Sequence, residues 1–255
     1  MKLLNEFYNK SCKPGYESYK KISNNITLID NFFENFKSAK KFFIGRDKWE
    51  CSAYQGHSKH GYESYFPKWV GKSLIEKFVL DNKLIDFNTD DIKCNYSFLD
   101  EEPIWSLYNS YYYPHIDGFK DNDYLRYICL VNLNDSPVST NFFTYKNKEY
   151  CSSETSAEFE EYTLHITDEL RNYYGKGKIT KNEVKTFLDN KRDLHVKFNK
   201  KIEYKPNQAI VYPVNLFHSP GITQEFTKDN PRILLRITFF IKIIDSKKII
   251  GVSYS

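Results

Sequence analysis

The chain has 255 residues, 40% of them hydrophobic and 27% charged. That balance supports one elaborated core and excludes disorder as the default, and only 10 Gly and 9 Pro exclude collagen-like and low-complexity classes. The net charge of +4 comes from Lys and Arg scattered among Asp and Glu, so nucleic acid is not an expected partner.

Five cysteines, Cys12, Cys51, Cys94, Cys129 and Cys151, are an odd number without a C-x-x-C pair. They predict neither a disulfide framework nor a zinc ribbon, but reduced thiols and a cytoplasmic location. The opening MKLLNEFYNKSCK lacks the apolar stretch of a signal peptide. No apolar run approaches the ~18 residues of a membrane span, so no membrane partner is expected.

In chain order, residues 1–25 are polar and without clear period. Ile26 to Ile29 reads as a short strand. Asp30 or Asn31 then caps a helix whose buried stripe is Phe32, Phe33, Phe36, Phe42 and Phe43. Residues 56–71 read as a loop from their Gly, Ser and Pro content, and 74–87 return to helical spacing. From about residue 92, short aromatic and β-branched runs separated by turn residues give strand texture. Residues 154–195 interrupt it as two helices around a Gly-Lys-Gly break. The last strong strands lie in 208–221 and 231–243. The organisation predicted is an N-terminal α/β support over 1–91 and a β core over 92–255, with a helical insertion at about 154–195.

Of six histidines, only His115 has a carboxylate two residues on, in YYYPHIDGF. Residues i and i+2 of a strand point to the same side, so His115 and Asp117 can grip one ion together. The best candidate for a third ligand is His218, which ends the apolar strand AIVYPVNLF where it runs into a Ser-Pro-Gly loop. Two His and one carboxylate with open positions is a ligand set of non-haem Fe(II) oxygenases. Arg232 and Arg236 follow His218 by 14 and 18 residues on one face of the final strand. A buried guanidinium needs an anion, and a carboxylate co-substrate satisfies one bidentately. Plainer readings stand beside these: a surface His–Asp pair, a strand-end His, and edge-strand Arg that blunt aggregation. His57 and His60 sit in a polar loop, and His165 and His195 in the inserted helices.

The order H-x-D, then Y-P-x-N-x-F-H-S, then Arg on the last strand resembles the Fe(II)/2-oxoglutarate-dependent dioxygenases. It is most similar to the prolyl-4-hydroxylase-like branch, including phage and marine-bacterial members. ITLIDNFF (26–33), YYPHIDGF and YLRYICLVNLN (124–134) resemble that family's entry strand and helix, metal strand and following strand. The resemblance implies a mainly β fold with α support: a double-stranded β-helix of jelly-roll type with N-terminal helices and a helical insertion acting as a lid. It implies Fe(II) held by His115, Asp117 and His218, and 2-oxoglutarate paired with Arg232, with Arg236 as the competing choice. O2 would be the oxidant and succinate and CO2 the co-products. The family often has Gly-Gly-Thr where this chain has SPVSTNFF (136–143). Asn132 stands where relatives place a co-substrate Tyr, and Tyr113 or Tyr127 can substitute. The implied activity is hydroxylation of a C–H bond of an amino-acid or peptidyl substrate, prolyl among the candidates, or of a small metabolite. The alternative is a non-catalytic binding or scaffold protein that keeps the fold. The sequence does not give the oligomeric state.

Overall fold

In the computed structural model the final apolar run forms a strand with two different faces. Ile233, Leu235, Ile237 and Phe239 join a cluster that includes Val70, Leu74 and Phe78 of a helix. Leu234 belongs to a second cluster on the other side, and by the two-residue period Arg232, Arg236 and Thr238 share that side. A strand largely buried on both faces must lie between layers, which sets the architecture.

The structure describes residues 2–9, 12–45, 49–53, 59–82, 87–97, 114–118, 124–174, 180, 182–183, 186–187, 189–190, 195–221, 226 and 229–242. Their elements are α1 (Lys2–Asn9), β1 (Ser18–Ser23), β2 (Ile26–Asp30), α2 (Phe36–Ile44), β3 (Glu50–Ala53), β4 (Lys59–Tyr65), α3 (Lys68–Asp81) and β5 (Phe87–Ser97). There follow β6 (Tyr124–Asn132), β7 (Val138–Tyr145), α4 (Ser153–Tyr174), β8 (Val196–Tyr204), β9 (Ala209–Pro213), β10 (His218–Pro220) and β11 (Arg232–Lys242).

An 8-stranded antiparallel sheet runs β1-β2-β9-β6-β11-β5-β4-β3, and a 3-stranded sheet runs β10-β7-β8. Residues 114–118 extend the small sheet, because His115 pairs with His218 across an antiparallel bridge. From β5 onward the chain passes large, small, large, small, small, large, small, large. This is the double-stranded β-helix. Ile128, Leu130, Ile210, Tyr212, Phe142 and Ile202 fill the space between its sheets. Helices α1 to α3 cover the outer face of the large sheet. There Phe7, Phe42, Phe43 and Phe66 meet edge to face or tilted, each fully buried ring contributing about 1.5–3 kcal/mol. Helix α4 packs Phe159 on Tyr145 and Phe217 of the small sheet. Among the described residues no helix is long and apolar enough to cross a membrane.

Several local expectations change. Helix α2 starts at Phe36 and is capped by Asn35, which accepts from Ser38 N at 3.1 Å; Asp30 ends β2 instead. Phe32 and Phe33 are buried but precede the helix, since Asn207 ties down their backbone. Phe32 N donates to Asn207 O, Phe33 N to Asn207 Oδ1, and Asn207 Nδ2 to Phe33 O. The predicted 56–71 loop holds β4 and the start of α3. Its polar residues pair as a strand because β5 offers an open edge. Residues 1–25 contain α1 and β1. The Gly-Lys-Gly break at 175–177 lies outside the described residues. Cys12, Cys94, Cys129 and Cys151 are buried, and none of them is in a disulfide.

Candidate metal centre

The two histidines are joined by the backbone before their side chains meet. His115 N donates to His218 O at 2.8 Å, and His218 N donates to His115 O at 3.0 Å. Directly opposed residues of an antiparallel pair point to the same side, so the rings face each other with centroids 4.5 Å apart. Asp117 N donates to Val214 O at 2.9 Å, which keeps the strand extended and brings the carboxylate round beside the rings. His218 is not the end of the strand before it. After Pro213 the chain leaves β9, crosses to the small sheet over 214–217, and His218 opens β10.

One ligating atom from each of His115, Asp117 and His218 lies within 4.8 Å of the others. The donor set fits a divalent cation on its own chemistry. His218 Nδ1 sits 2.9 Å from the Leu216 carbonyl; a carbonyl only accepts, so Nδ1 carries the proton. Nε2 then faces Asp117 Oδ2 at 3.0 Å. A neutral ring would set a lone pair against a carboxylate, an arrangement that a cation or a second ring proton relieves. Burial pushes the His115 imidazole down to about 4, with the charge of His218 acting the same way, so it is neutral and able to ligate at neutral pH. Its buried Nδ1 has no hydrogen-bond partner among the described residues. Burial alone would raise the Asp117 carboxyl, but the charges of Arg236 and His218 outweigh it and hold the group well below the usual carboxylate range. The site therefore offers neutral imidazole and ionised carboxylate, the forms that bind metals.

The two arginines part company. Arg236 donates through Nη2 to Asp117 Oδ1 at 3.2 Å. It touches the metal-ligand side chain itself. Arg232, 4% exposed, lies deeper. Its Nη2 donates to Ser139 O at 2.8 Å and to the Tyr204 hydroxyl at 2.9 Å. Thr140 Oγ1 stands 3.3 Å from that hydroxyl. Arg232 makes no ion pair with any described residue, and its Nε is buried without a partner. A buried guanidinium held only by neutral groups among the described residues is able to receive an anion.

Tyr204, Ser139 and Thr140 were not legible as site residues. The one available signal is the alternation Phe198, Ile202, Tyr204 in an otherwise charged strand. Asn132 lies at the inner end of β6, but its polar atoms are used. Nδ2 donates to Ser136 O and Tyr204 O, and Oδ1 accepts from Asn134 N and Nδ2. It shapes the 133–136 turn and leaves nothing for a ligand. Tyr127 stacks on Phe239 on the helix side of the large sheet, away from the ligands. Tyr113 and His57 lie outside the described residues. His165 is a surface side chain paired with Glu169.

The fold also resembles solved structures. SnoK, a non-haem α-ketoglutarate-dependent carbocyclase from nogalamycin biosynthesis, is 8% identical, with TM-score 0.47, over 89% of this chain and 86% of its own. SnoN, an epimerase from the same biosynthesis, is 8% identical, with TM-score 0.45, over 84% and 76%. HygX from Streptomyces hygroscopicus, solved with nickel and 2-oxoglutarate, is 11% identical, with TM-score 0.41, over 84% and 82%. No curated protein matches the sequence. A sequence profile covers residues 13–240, from before β1 to within β11, and by that match the chain belongs to the family described as a family of unknown function, DUF6445.

Proposed function

We propose that the protein is an Fe(II)/2-oxoglutarate-dependent oxygenase of the prolyl-4-hydroxylase-like branch. Its substrate would be an amino-acid or peptidyl (prolyl included) C–H bond, or one in a small metabolite. The observation that carries this is the convergence of His115, Asp117 and His218 within 4.8 Å, together with a buried Arg232 that has no counter-ion among the described residues. They support a cation site and a carboxylate site in one interior.

In this reading His115, Asp117 and His218 hold the iron, and Arg232 with Tyr204 holds the distal carboxylate of 2-oxoglutarate. Bound iron supplies the site for O2 and the oxidising power to hydroxylate carbon, with 2-oxoglutarate leaving as succinate and CO2. The protein's share is positional. His218 is fixed in one tautomer by Leu216 O. Asp117 is held by Arg236. Phe142 and Tyr212 wall the His218 ring at 6.4 and 5.0 Å between centroids, which keeps water from that side. Residues 1–91 act as the support and 154–195 as the lid.

The test is spectroscopic. Anaerobic protein given Fe(II) and 2-oxoglutarate develops a visible charge-transfer band, and His115→Ala removes it. A non-catalytic protein that keeps the fold, its Asp117 neutralised by Arg236 and His218 alone, gives no band and no succinate.

A further inference from the structure

The inner wall of the β-helix is chemically lopsided. On β9 and β6 it is apolar, with Ile210, Tyr212, Ile128 and Leu130. On β5 it is polar. Register places Lys93 opposite Arg236, Asn95 opposite Leu234 and Asp91 opposite Thr238, so Asp91, Lys93 and Asn95 share the face of Arg236. Cys94 and Ile92 point to the helix layer. Strand β4 continues this face, with Tyr65 opposite Lys93 and Glu63 opposite Asn95. Lys93 Nζ pairs with Glu63 Oε1 at 2.9 Å, both side chains being at most 16% exposed. Asn95 Nδ2 donates to the same carboxylate at 3.3 Å, which fixes the amide's orientation.

Three polar atoms on this face are buried without a hydrogen-bond partner among the described residues: Arg236 Nε, Thr238 Oγ1 and Asn95 Oδ1. Buried polar atoms are normally satisfied, so orphans gathered on one face beside the candidate metal centre are free to meet a polar ligand. Arg236 Nε–H needs an acceptor, Asn95 Oδ1 needs a donor, and the Thr238 hydroxyl takes either. The charges are complementary as well. Arg236 leans on Asp117, whose charge a bound cation would share, while Lys93 and Glu63 balance each other and Glu63 Oε2 also accepts from the Tyr65 hydroxyl at 2.7 Å. A zwitterion set against that pair brings an anion to Lys93 and Arg236 and a cation to Glu63, so no charge is left over.

We propose that the face formed by Glu63, Lys93, Asn95, Arg236 and Thr238 binds the prime substrate and selects a zwitterion, an α-amino acid with free carboxylate and free amine. The carboxylate goes to Arg236 and Lys93, the ammonium to Glu63 and Asn95 Oδ1. This rests on the oxygenase reading and narrows its substrate.

The experiment titrates the twenty L-amino acids, each with its methyl ester and N-acetyl derivative, into anaerobic wild-type protein carrying Fe(II) and 2-oxoglutarate. Calorimetry and the shift of the charge-transfer band are the readouts. At least one free amino acid binds, and its ester and N-acetyl forms bind about tenfold more weakly or worse. Lys93→Met erases the preference over the ester, and Glu63→Gln the preference over the N-acetyl form. If either single variant does not fold, the neutral pair Lys93→Met/Glu63→Gln removes both preferences without leaving a lone buried charge. No binding by any amino acid, or equal binding of free and blocked forms, overturns the zwitterion assignment while an intact band upholds the oxygenase reading. Absence of the band overturns both.

Discussion

At the scale of single residues, Arg232 and Arg236 show how far a sequence pattern reaches. Their spacing of four puts both on one face of β11, and nothing in the pattern separates them. The contacts do: Arg236 meets Asp117, whereas among the described residues Arg232 meets Ser139 and Tyr204 and leaves its Nε without a partner. Arg232→Met is therefore expected to weaken 2-oxoglutarate binding by about 2–3 kcal/mol, a factor of about 30 to 150, while calorimetry finds metal affinity retained. The H-x-D pair was legible because a two-residue period has one geometric meaning. Tyr204 was not, because only the fold brings the end of β8 to the start of β11. The titration of His115 gives a second expectation. Its folded value is about 4 against an unfolded 6.5, so the unfolded chain takes up the proton first as pH falls. Stability is then lost from about pH 6.5 towards 4. Asp117 is held low when folded, so its contribution is kept above its unfolded value near 4 and lost only below it. Urea melts of the metal-free protein should be flat between pH 7 and 8 and lose up to about 3 kcal/mol by pH 4. A melt that strengthens on acidification contradicts the neutral buried imidazole.

At the scale of elements, β10 and its exit hold the proposed anion site in shape. Gly221 N donates to Ser139 O at 3.0 Å, the same carbonyl that accepts from Arg232. A Cβ on Gly221 would lie 2.0 Å from Ser139 Oγ and 2.8 Å from Ser139 O. Gly221→Ala should cost about 1–3 kcal/mol in denaturant melts and weaken 2-oxoglutarate binding through the displaced Ser139, with metal binding spared. Asn207, which adopts a positive φ of 62°, clamps the segment before α2 through both polar atoms of its side chain. Asn207→Ala is expected to destabilise by about 2–3 kcal/mol, readable as a lower urea midpoint. The same clamp explains why the start of α2 was misread. The Phe-rich stripe looks helical from Phe32, but a partner more than 170 residues away holds that backbone. Strand β4 was hidden for a related reason. The residues on its face with Glu63 and Tyr65 are polar, and Ser64 lies on the other, so no alternation of apolar and polar residues announces it.

At the scale of the whole molecule, the β-helix brings three distant segments to one interior and gives it an apolar and a polar wall. Strands β6, β9 and β11 were visible as aromatic and β-branched runs, whereas β8 did not stand out and β9 and β10 read as one stretch. In the extension of the large sheet, β2 was read as a strand at Ile26 to Ile29, but β1, β3 and β4 were not, because they depend on edges that only the folded core exposes. If the ligands sit inside that interior, they stabilise the whole chain. Metal and 2-oxoglutarate at about 100 times their dissociation constants should each add about 2.7 kcal/mol. That raises the melting temperature by several degrees, and Arg232→Met should abolish the part due to 2-oxoglutarate.

The most direct measurement is an anaerobic equilibrium titration of Fe(II) into the wild-type protein and into His115→Ala, Asp117→Ala and His218→Ala, followed by metal content and calorimetry. One ion per chain in the wild type, with the high-affinity site lost in every variant, is the result the convergence of these three side chains requires. Failure of the wild type to take up a stoichiometric ion, or full uptake by any of the three variants, would contradict it.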